Sequence, residues 1–269
     1  MQEFFSILWA EHGVKVRKFV EWQLITLDWG EKVVLKEWDE LSREHAFYSF
    51  ISDHSIAWFP RLIEADRSWK SLLLSYCEGI NGKEVVDSIL ASNWVSIWRH
   101  LWTILHELHA VSTPLSDEQK NIWIQEMLDY MSVDSKIFDQ IAYDLELNRL
   151  QKMISKTSQP FVMLHGDFSP HNCLFYKNEH GEYRISTVLD PSARVTYGVK
   201  YFDIAYLLNT RWNRNTSETR AWFLESYPID LSDPLFLQFE KIMRMYLAEI
   251  YSIMWDARSA ENMLYNLRD

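Results

Sequence analysis

Cysteine is scarce: Cys77 and Cys173 are the two in 269 residues, too few for the disulfide framework of a small secreted domain. Both stand in apolar, strand-like stretches and read as buried free thiols of a cytoplasmic protein. Positive charge is also in deficit. Lys and Arg number 27 against 38 Asp and Glu, a net of -11. That balance argues against nucleic acid or an anionic membrane surface as the main partner, and it suits a cationic substrate. No apolar run approaches the roughly 20 residues that cross a bilayer. The start, Met1-Gln-Glu-Phe-Phe5, lacks a basic segment ahead of an apolar one, so no secretory leader is expected. Internal repeats, low-complexity tracts and flexible linkers are missing as well. Disorder is excluded by what remains: 48% hydrophobic residues and 13 Trp supply a core. The length suits one large domain or two small lobes.

The most informative stretch is Val162-Met-Leu-His-Gly-Asp-Phe-Ser-Pro-His-Asn-Cys-Leu-Phe175, with Thr187-Val-Leu-Asp-Pro191 downstream. Phe161 to Leu164 is a short buried strand by its apolar run. Gly166 and Pro170 force a loop, and Cys173 to Tyr176 resumes as strand. Asn178-Glu-His-Gly181 is a turn signal, and a second apolar strand ends at Asp190. Asp167, Asn172 and Asp190 are thereby offered at strand ends. A hydroxyl nucleophile needs a carboxylate to take its proton, and Mg2+ needs hard oxygen ligands close to phosphate. Asp167 suits the base; Asn172 and Asp190 suit the metal. The five-residue step from Asp167 to Asn172 is also the spacing of the protein-kinase catalytic loop.

His165-Gly-Asp-x-x-x-x-Asn172, then strand, turn and Leu189-Asp190, resembles the aminoglycoside phosphotransferase family, which includes choline kinases. The later segment Gly198-Val-Lys-Tyr-Phe-Asp203 resembles the part of that family in which an Asp steadies the catalytic loop. The resemblance implies a two-lobed, protein-kinase-like α+β fold. A small N-terminal sheet lobe (1–78) would bind nucleotide, and a larger, mainly helical C-terminal lobe (79–269) would carry catalysis and the acceptor.

It also assigns roles along the chain. Lys32-Val-Val-Leu-Lys36 is a strand whose Lys36 would grip the nucleotide phosphates. Ser42 to Ile51 has helical spacing, and Glu44 would pair with Lys36, with Glu37 and Glu40 as competitors. Ser71 to Gly79 resembles the hinge, where main-chain groups of Ser75, Tyr76, Cys77 and Glu78 would meet the adenine edge. Asp203 would hold the His165–Asp167 backbone or His165, and His109 would pack beneath that loop. The stripe Ile97, Leu101, Ile104, Leu105, Leu108 marks a core helix, and Ser116-Asp-Glu-Gln119 is a capping box. The pattern departs from kinases at the phosphate flap, since Val14 to Leu27 contains no glycine. Helices are read at 3 to 12, ended by Gly13, and as three segments between Thr216 and Leu267. Glu240, Glu249, Asp256 and Glu261 there are candidate cation-binding carboxylates, each also readable as solvated surface. Arg194 and Lys200 are candidate phosphate contacts or surface cations.

The expected reaction is transfer of the γ-phosphoryl group of ATP (or GTP), with Mg2+, to a hydroxyl of a small acceptor. A cationic aminoglycoside, another antibiotic or an amino-alcohol metabolite fits that description. Two other readings stay open. One is a pseudokinase that binds nucleotide without transfer. The other is a hydrolase with Zn2+ or Mn2+ on His165, Asp167 and His171.

Overall fold

The computed structural model describes residues 15–19, 22–38, 41–66, 68, 70–89, 91–135, 137–210 and 217–254. The helix read at 3 to 12 with Gly13, the flap residue Val20, the competitor Glu40, and Asp256 and Glu261 lie outside the described residues. The chain divides into two compact units. One takes residues up to Asp87 together with Asn172–Ala193, and the other takes Ser88–His171 and the residues from Arg194 onward.

In the first unit, alternation of apolar and polar residues makes strands. β1 (Lys15–Phe19), β2 (Trp22–Thr26), β3 (Lys32–Glu37), β4 (Leu62–Ala65) and β5 (Ser71–Ser75) form one antiparallel sheet in the order β1-β2-β3-β5-β4. Within the stretch from Val14 to Leu27, the described residues form the two antiparallel strands β1 and β2. Direct partners across a ladder share a face. Ile25 opposite Val33, and Leu35 opposite Leu73, join Leu27 in a cluster at most 7% exposed. Each such side chain contributes roughly 1.5–3 kcal/mol on burial. The other face pairs Lys36 with Leu72 and Val34 with Leu74. The turn after β2 needs Gly30, whose φ is +86°. Helix α1 (Ser42–Asp53) packs beside β4. β6 (Ile80–Asn81) leads into α2 (Gly82–Val85), which Asn81 caps through Lys83 N–H. β6 also borders the hairpin of β8 (Cys173–Lys177) and β9 (Tyr183–Val188) in the order β6-β8-β9.

The second unit is helical. It holds α3 (Ala91–His109), α4 (Asp117–Met131), α5 (Gln140–Lys156), α6 (Tyr201–Asn209), α7 (Ser217–Ser226) and α8 (Pro234–Met254). The apolar stripe of α3 is buried as its spacing predicts, with Ile97, Leu101, Ile104, Leu105 and Leu108 at most 1% exposed. The capping box opens α4, with Ser116 and Gln119 serving each other's backbone N–H. Pro234 stands first in α8, where its missing N–H costs nothing. α3 packs on α7, and α8 packs on α5 and α6. β7 (Phe161–Met163) pairs with β10 (Tyr197–Val199), and Leu164 N–H continues the ladder to Thr196. None of the helices in the described residues is long and apolar enough to cross a membrane.

Candidate active site

Within the first unit the chemistry gathers on Lys36. β3 delivers the side chain to the face of Leu72, and its Nζ lies 2.5 Å from Glu44 Oε2 and 3.2 Å from Asp190 Oδ1. The ring of the cross-strand neighbour Trp22 lies 4.7 Å away. Lys36 is 7% exposed and Glu44 4%. Burial pulls the ammonium pKa down, but the carboxylates of Glu44 and then Asp190 outweigh it and hold it above the ordinary lysine value. Glu37, a competing partner in the sequence, instead accepts a hydrogen bond from Gln23 Nε2 at 2.8 Å. One turn beyond Glu44, Tyr48 is fully buried. Its hydroxyl is pushed far up by that burial and by the charges of Glu44 and Asp190.

The hairpin positions the other two candidates. Cys173 pairs with Val188, and Leu189 N–H donates to Asn172 O at 2.7 Å, so Asn172 and Asp190 flank its open end. Asn172 is 8% exposed, whereas the Asp190 side chain is 37% exposed. Asp190 takes φ +55°, a left-handed conformation that Asp tolerates through its short polar side chain. Ser75 exchanges main-chain and side-chain hydrogen bonds with Arg61. The Cys77 thiol sits 3.9 Å from Ser75 O, Tyr76 lies under Lys32, and Glu78 O accepts from Ser186 Oγ at 3.1 Å.

Within the second unit the loop after β7 is held by α6. Gly166 turns at φ +76°, exposing successive N–H groups. His165 N–H donates to Asp203 Oδ2, and Gly166 N–H donates to Asp203 Oδ1, both at 2.8 Å. His109 Nε2 lies 3.1 Å from Asp203 Oδ2, and its Nδ1 lies 2.8 Å from the Tyr227 hydroxyl. A carboxylate only accepts, so Nε2 carries the proton and Nδ1 takes the phenol. Burial lowers the His109 pKa more than Asp203 raises it, so the ring stays neutral. Asp203 and His165 are fully buried. Asp167 N–H reaches His165 Nδ1 at 3.3 Å. One turn after Asp203, Tyr206 donates its hydroxyl to Asp167 Oδ1 at 2.5 Å. Nothing in the sequence reading singled out Tyr206. The three-residue step from Asp203 was the available signal, because it places both on one helix face.

The remaining candidates fall elsewhere. Arg194 is exposed, and Lys200 sits over the rings of Tyr201 and Tyr227, its pKa lowered by burial. Glu240 pairs with Arg244 at 2.9 Å. Glu249 is fully buried and accepts from Ser135 Oγ and from the N–H groups of Ile137 and Phe138. Neither is solvated surface. Among the described residues no three of His, Cys, Asp and Glu gather as a metal-holding group. His165, Asp167 and His171 form no such group.

Residues 32–233 match the model of the phosphotransferase enzyme family. No curated protein matches the chain by sequence. Three solved structures illustrate the fold. An amicoumacin kinase, hAmiN, in complex with AMP-PNP, Ca2+ and Ami is 15% identical with a TM-score of 0.63, over 99% of this chain and 90% of that one. The choline kinase LicA from Streptococcus pneumoniae is 11% identical with a TM-score of 0.61, over 99% and 96%. A streptomycin–ATP–APH(2")-IIa ternary complex is 15% identical with a TM-score of 0.58, over 99% and 94%. At these identities the likeness is one of fold: the protein-kinase-like α+β architecture, with a small antiparallel sheet toward the N-terminus and a helical C-terminal part.

Proposed function

Because the chain belongs to the phosphotransferase enzyme family, we propose that it transfers the γ-phosphoryl group of ATP (or GTP) to a hydroxyl of a small acceptor. The observation that carries this reading is Lys36, buried between Glu44 and the half-exposed Asp190. A lysine so held keeps its charge and its direction, which is what a nucleotide phosphate requires. Asp167 would orient the acceptor hydroxyl and take its proton, a contribution of about 10²–10⁴-fold. Asn172 and Asp190 offer one amide and one carboxylate oxygen, hard donors that fit Mg2+. The ion, when bound, neutralises charge on the β- and γ-phosphates. Glu44 restrains Lys36, Asp203 with His165 fixes the loop that bears Asp167, and Ser75 to Glu78 would frame the adenine. On this reading residues 1–78 serve the nucleotide and 79–269 serve catalysis and the acceptor, with 172–193 returning to the sheet unit.

The net charge of -11 favours a cationic acceptor, and the free thiols Cys77 and Cys173 suit a reducing cytoplasm. Thermal shift with Mg-ATP tests nucleotide binding. An ATPase-coupled panel of streptomycin, gentamicin, amicoumacin, choline, ethanolamine, homoserine and sugars tests transfer. A melting temperature that ignores Mg-ATP would overturn the reading. A rise with no transfer to any acceptor would leave a pseudokinase. With an acceptor in hand, Asp167→Asn should keep nucleotide binding and nearly abolish turnover.

A further inference from the structure

Helix α6 touches the catalytic loop twice. Asp203 takes two consecutive N–H groups of the loop, from His165 and Gly166. Three residues later, Tyr206 takes the side chain of Asp167 itself. Beyond χ1, the carboxylate of an aspartate turns about its Cβ–Cγ bond, a torsion that backbone contacts do not restrain. The Tyr206 hydroxyl, 2.5 Å from Oδ1, restrains it. We propose that Tyr206 is a positioning residue for the proton acceptor: it holds Oδ1 of Asp167 and thereby aims Oδ2 at the acceptor hydroxyl. This rests on the phosphotransfer reading given above.

The chemistry assigns the two oxygens different work. A hydrogen bond from a phenol favours the ionised carboxylate and weakens Oδ1 as a base. The proton leaving the acceptor hydroxyl passes to Oδ2 as the new O–P bond forms and the bond from the γ-phosphorus to the β,γ-bridging oxygen breaks, the nucleoside diphosphate leaving with that oxygen. Tyr206 must remain a donor throughout, and its surroundings keep it one. Burial, then the Asp167 charge, then Tyr130 push its hydroxyl well above the ordinary tyrosine value. Tyr206 of α6 bonds Asp167 directly, His165 lies beside it in its own loop, and the Asp167 charge also raises the hydroxyl pKa of Tyr130 of α4 and opposes ionisation of Tyr246 of α8. Arg194 acts on Tyr130 and Tyr246 and adds a cation at the edge of this group. Tyr130 and Tyr246 also pack against each other, with ring centroids 5.3 Å apart. Three phenols from three helices thus feel the charge of one carboxylate, and one of them, Tyr206, donates to it directly.

The test reads the contact in the full chain without needing an acceptor. Aspartate labelled with 13C at Cγ gives a resonance for Asp167, identified by its loss in Asp167→Asn. In Tyr206→Phe the titration midpoint of Asp167 should move upward, because the bond that favours the carboxylate form is gone. In the wild-type chain the 13Cζ resonance of Tyr206 should move with the same midpoint as Asp167. An unmoved Asp167 midpoint in Tyr206→Phe would overturn the proposal. So would a Tyr206 signal indifferent to Asp167, and this second measurement decides the matter if the variant fails to fold. With an acceptor from the panel, Tyr206→Phe should lower kcat roughly tenfold and leave KM for Mg-ATP unchanged, a fraction of the general-base contribution. Coupled resonances with no transfer to any acceptor would sink phosphotransfer and keep the contact. Transfer with uncoupled resonances would sink the positioning role alone.

Discussion

Lys36 and Glu44, eight residues apart in the chain, meet in a 2.5 Å ion pair with both side chains less than one-tenth exposed. Such a pair costs desolvation on both sides, so its value to the fold appears only when one partner is removed. Glu44→Ala leaves Lys36 with Asp190 alone, and a loss of about 3 kcal/mol in urea unfolding is expected, the low end for a broken buried pair. The double variant Lys36→Met, Glu44→Leu should recover most of that loss, since no charge is left stranded. Equal loss in the single and double variants would show that packing, not charge, is at stake.

The same pair sets an alkaline limit. Lys36 titrates above its usual 10.5 in the folded chain, so the unfolded chain releases its proton first as pH rises. The stability from this group is complete below about 10.5 and is lost as pH climbs through the raised folded value. The double variant should lack that alkaline decline. Urea midpoints compared below and above pH 10.5 would show it.

His109 predicts the opposite limb. Its folded pKa lies below the usual 6.5, so the unfolded chain binds the proton first as pH falls. Stability from the neutral ring is present above about 6.5 and drains away as pH drops toward the folded value. His109→Gln keeps an N–H aimed at Asp203 and removes the titration. The slope of stability against pH between 6.5 and 5 should flatten in this variant, and an unchanged slope would assign the acid loss to other groups.

Much of this was legible in the letters, and the reasons are local. Lys32 to Lys36 and Ser71 to Ser75 announced strands because alternation and unbroken apolar runs leave few other folds. Gly166 announced a loop by its residue type, and Asp203 announced its holder because its segment resembles that of the phosphotransferase family. β4, β6 and β10 were invisible, because strands of two to four mixed residues have no period to read. Glu249 was misread as a candidate ligand or solvated surface, since sequence cannot show that the loop at Ser135 to Phe138 folds onto it. Tyr206 was given no role from the sequence. Its role depends on a partner 39 residues away.

Two glycines separate backbone need from side-chain room. A Cβ on Gly79, at φ +156°, would meet Leu174 Cβ at 2.8 Å and Phe175 O at 3.1 Å, neither of which can swing aside. A Cβ on Gly198 would run chiefly into the flexible end of Met127 and into Leu164 Cδ1. Gly79→Ala should therefore cost about 2–3 kcal/mol, in the range of overpacked and strained sites. Gly198→Ala should cost less, because methionine repacks. Thermal unfolding of both variants ranks them, and the reverse order would refute the geometric argument.

Asp190 joins strain to chemistry, and two substitutions pull them apart. Its φ of +55° suits Asn nearly as well as Asp but costs Ala about 1 kcal/mol or more. Asp190→Asn should unfold close to the wild type, since Lys36 retains Glu44 and the Asp190 side chain is partly exposed. Asp190→Ala should unfold earlier. On the proposed reading the two should fail alike against nucleotide, because neither offers the carboxylate that would hold Mg2+ beside the amide of Asn172. Calorimetry with ATP in the presence and absence of Mg2+ separates these effects: the wild type should gain affinity from the ion, and both variants should lose that gain. If Asp190→Asn bound Mg-ATP as tightly as the wild type, the metal would lie elsewhere, and the placement of Lys36 against Asp190 would be a structural contact only.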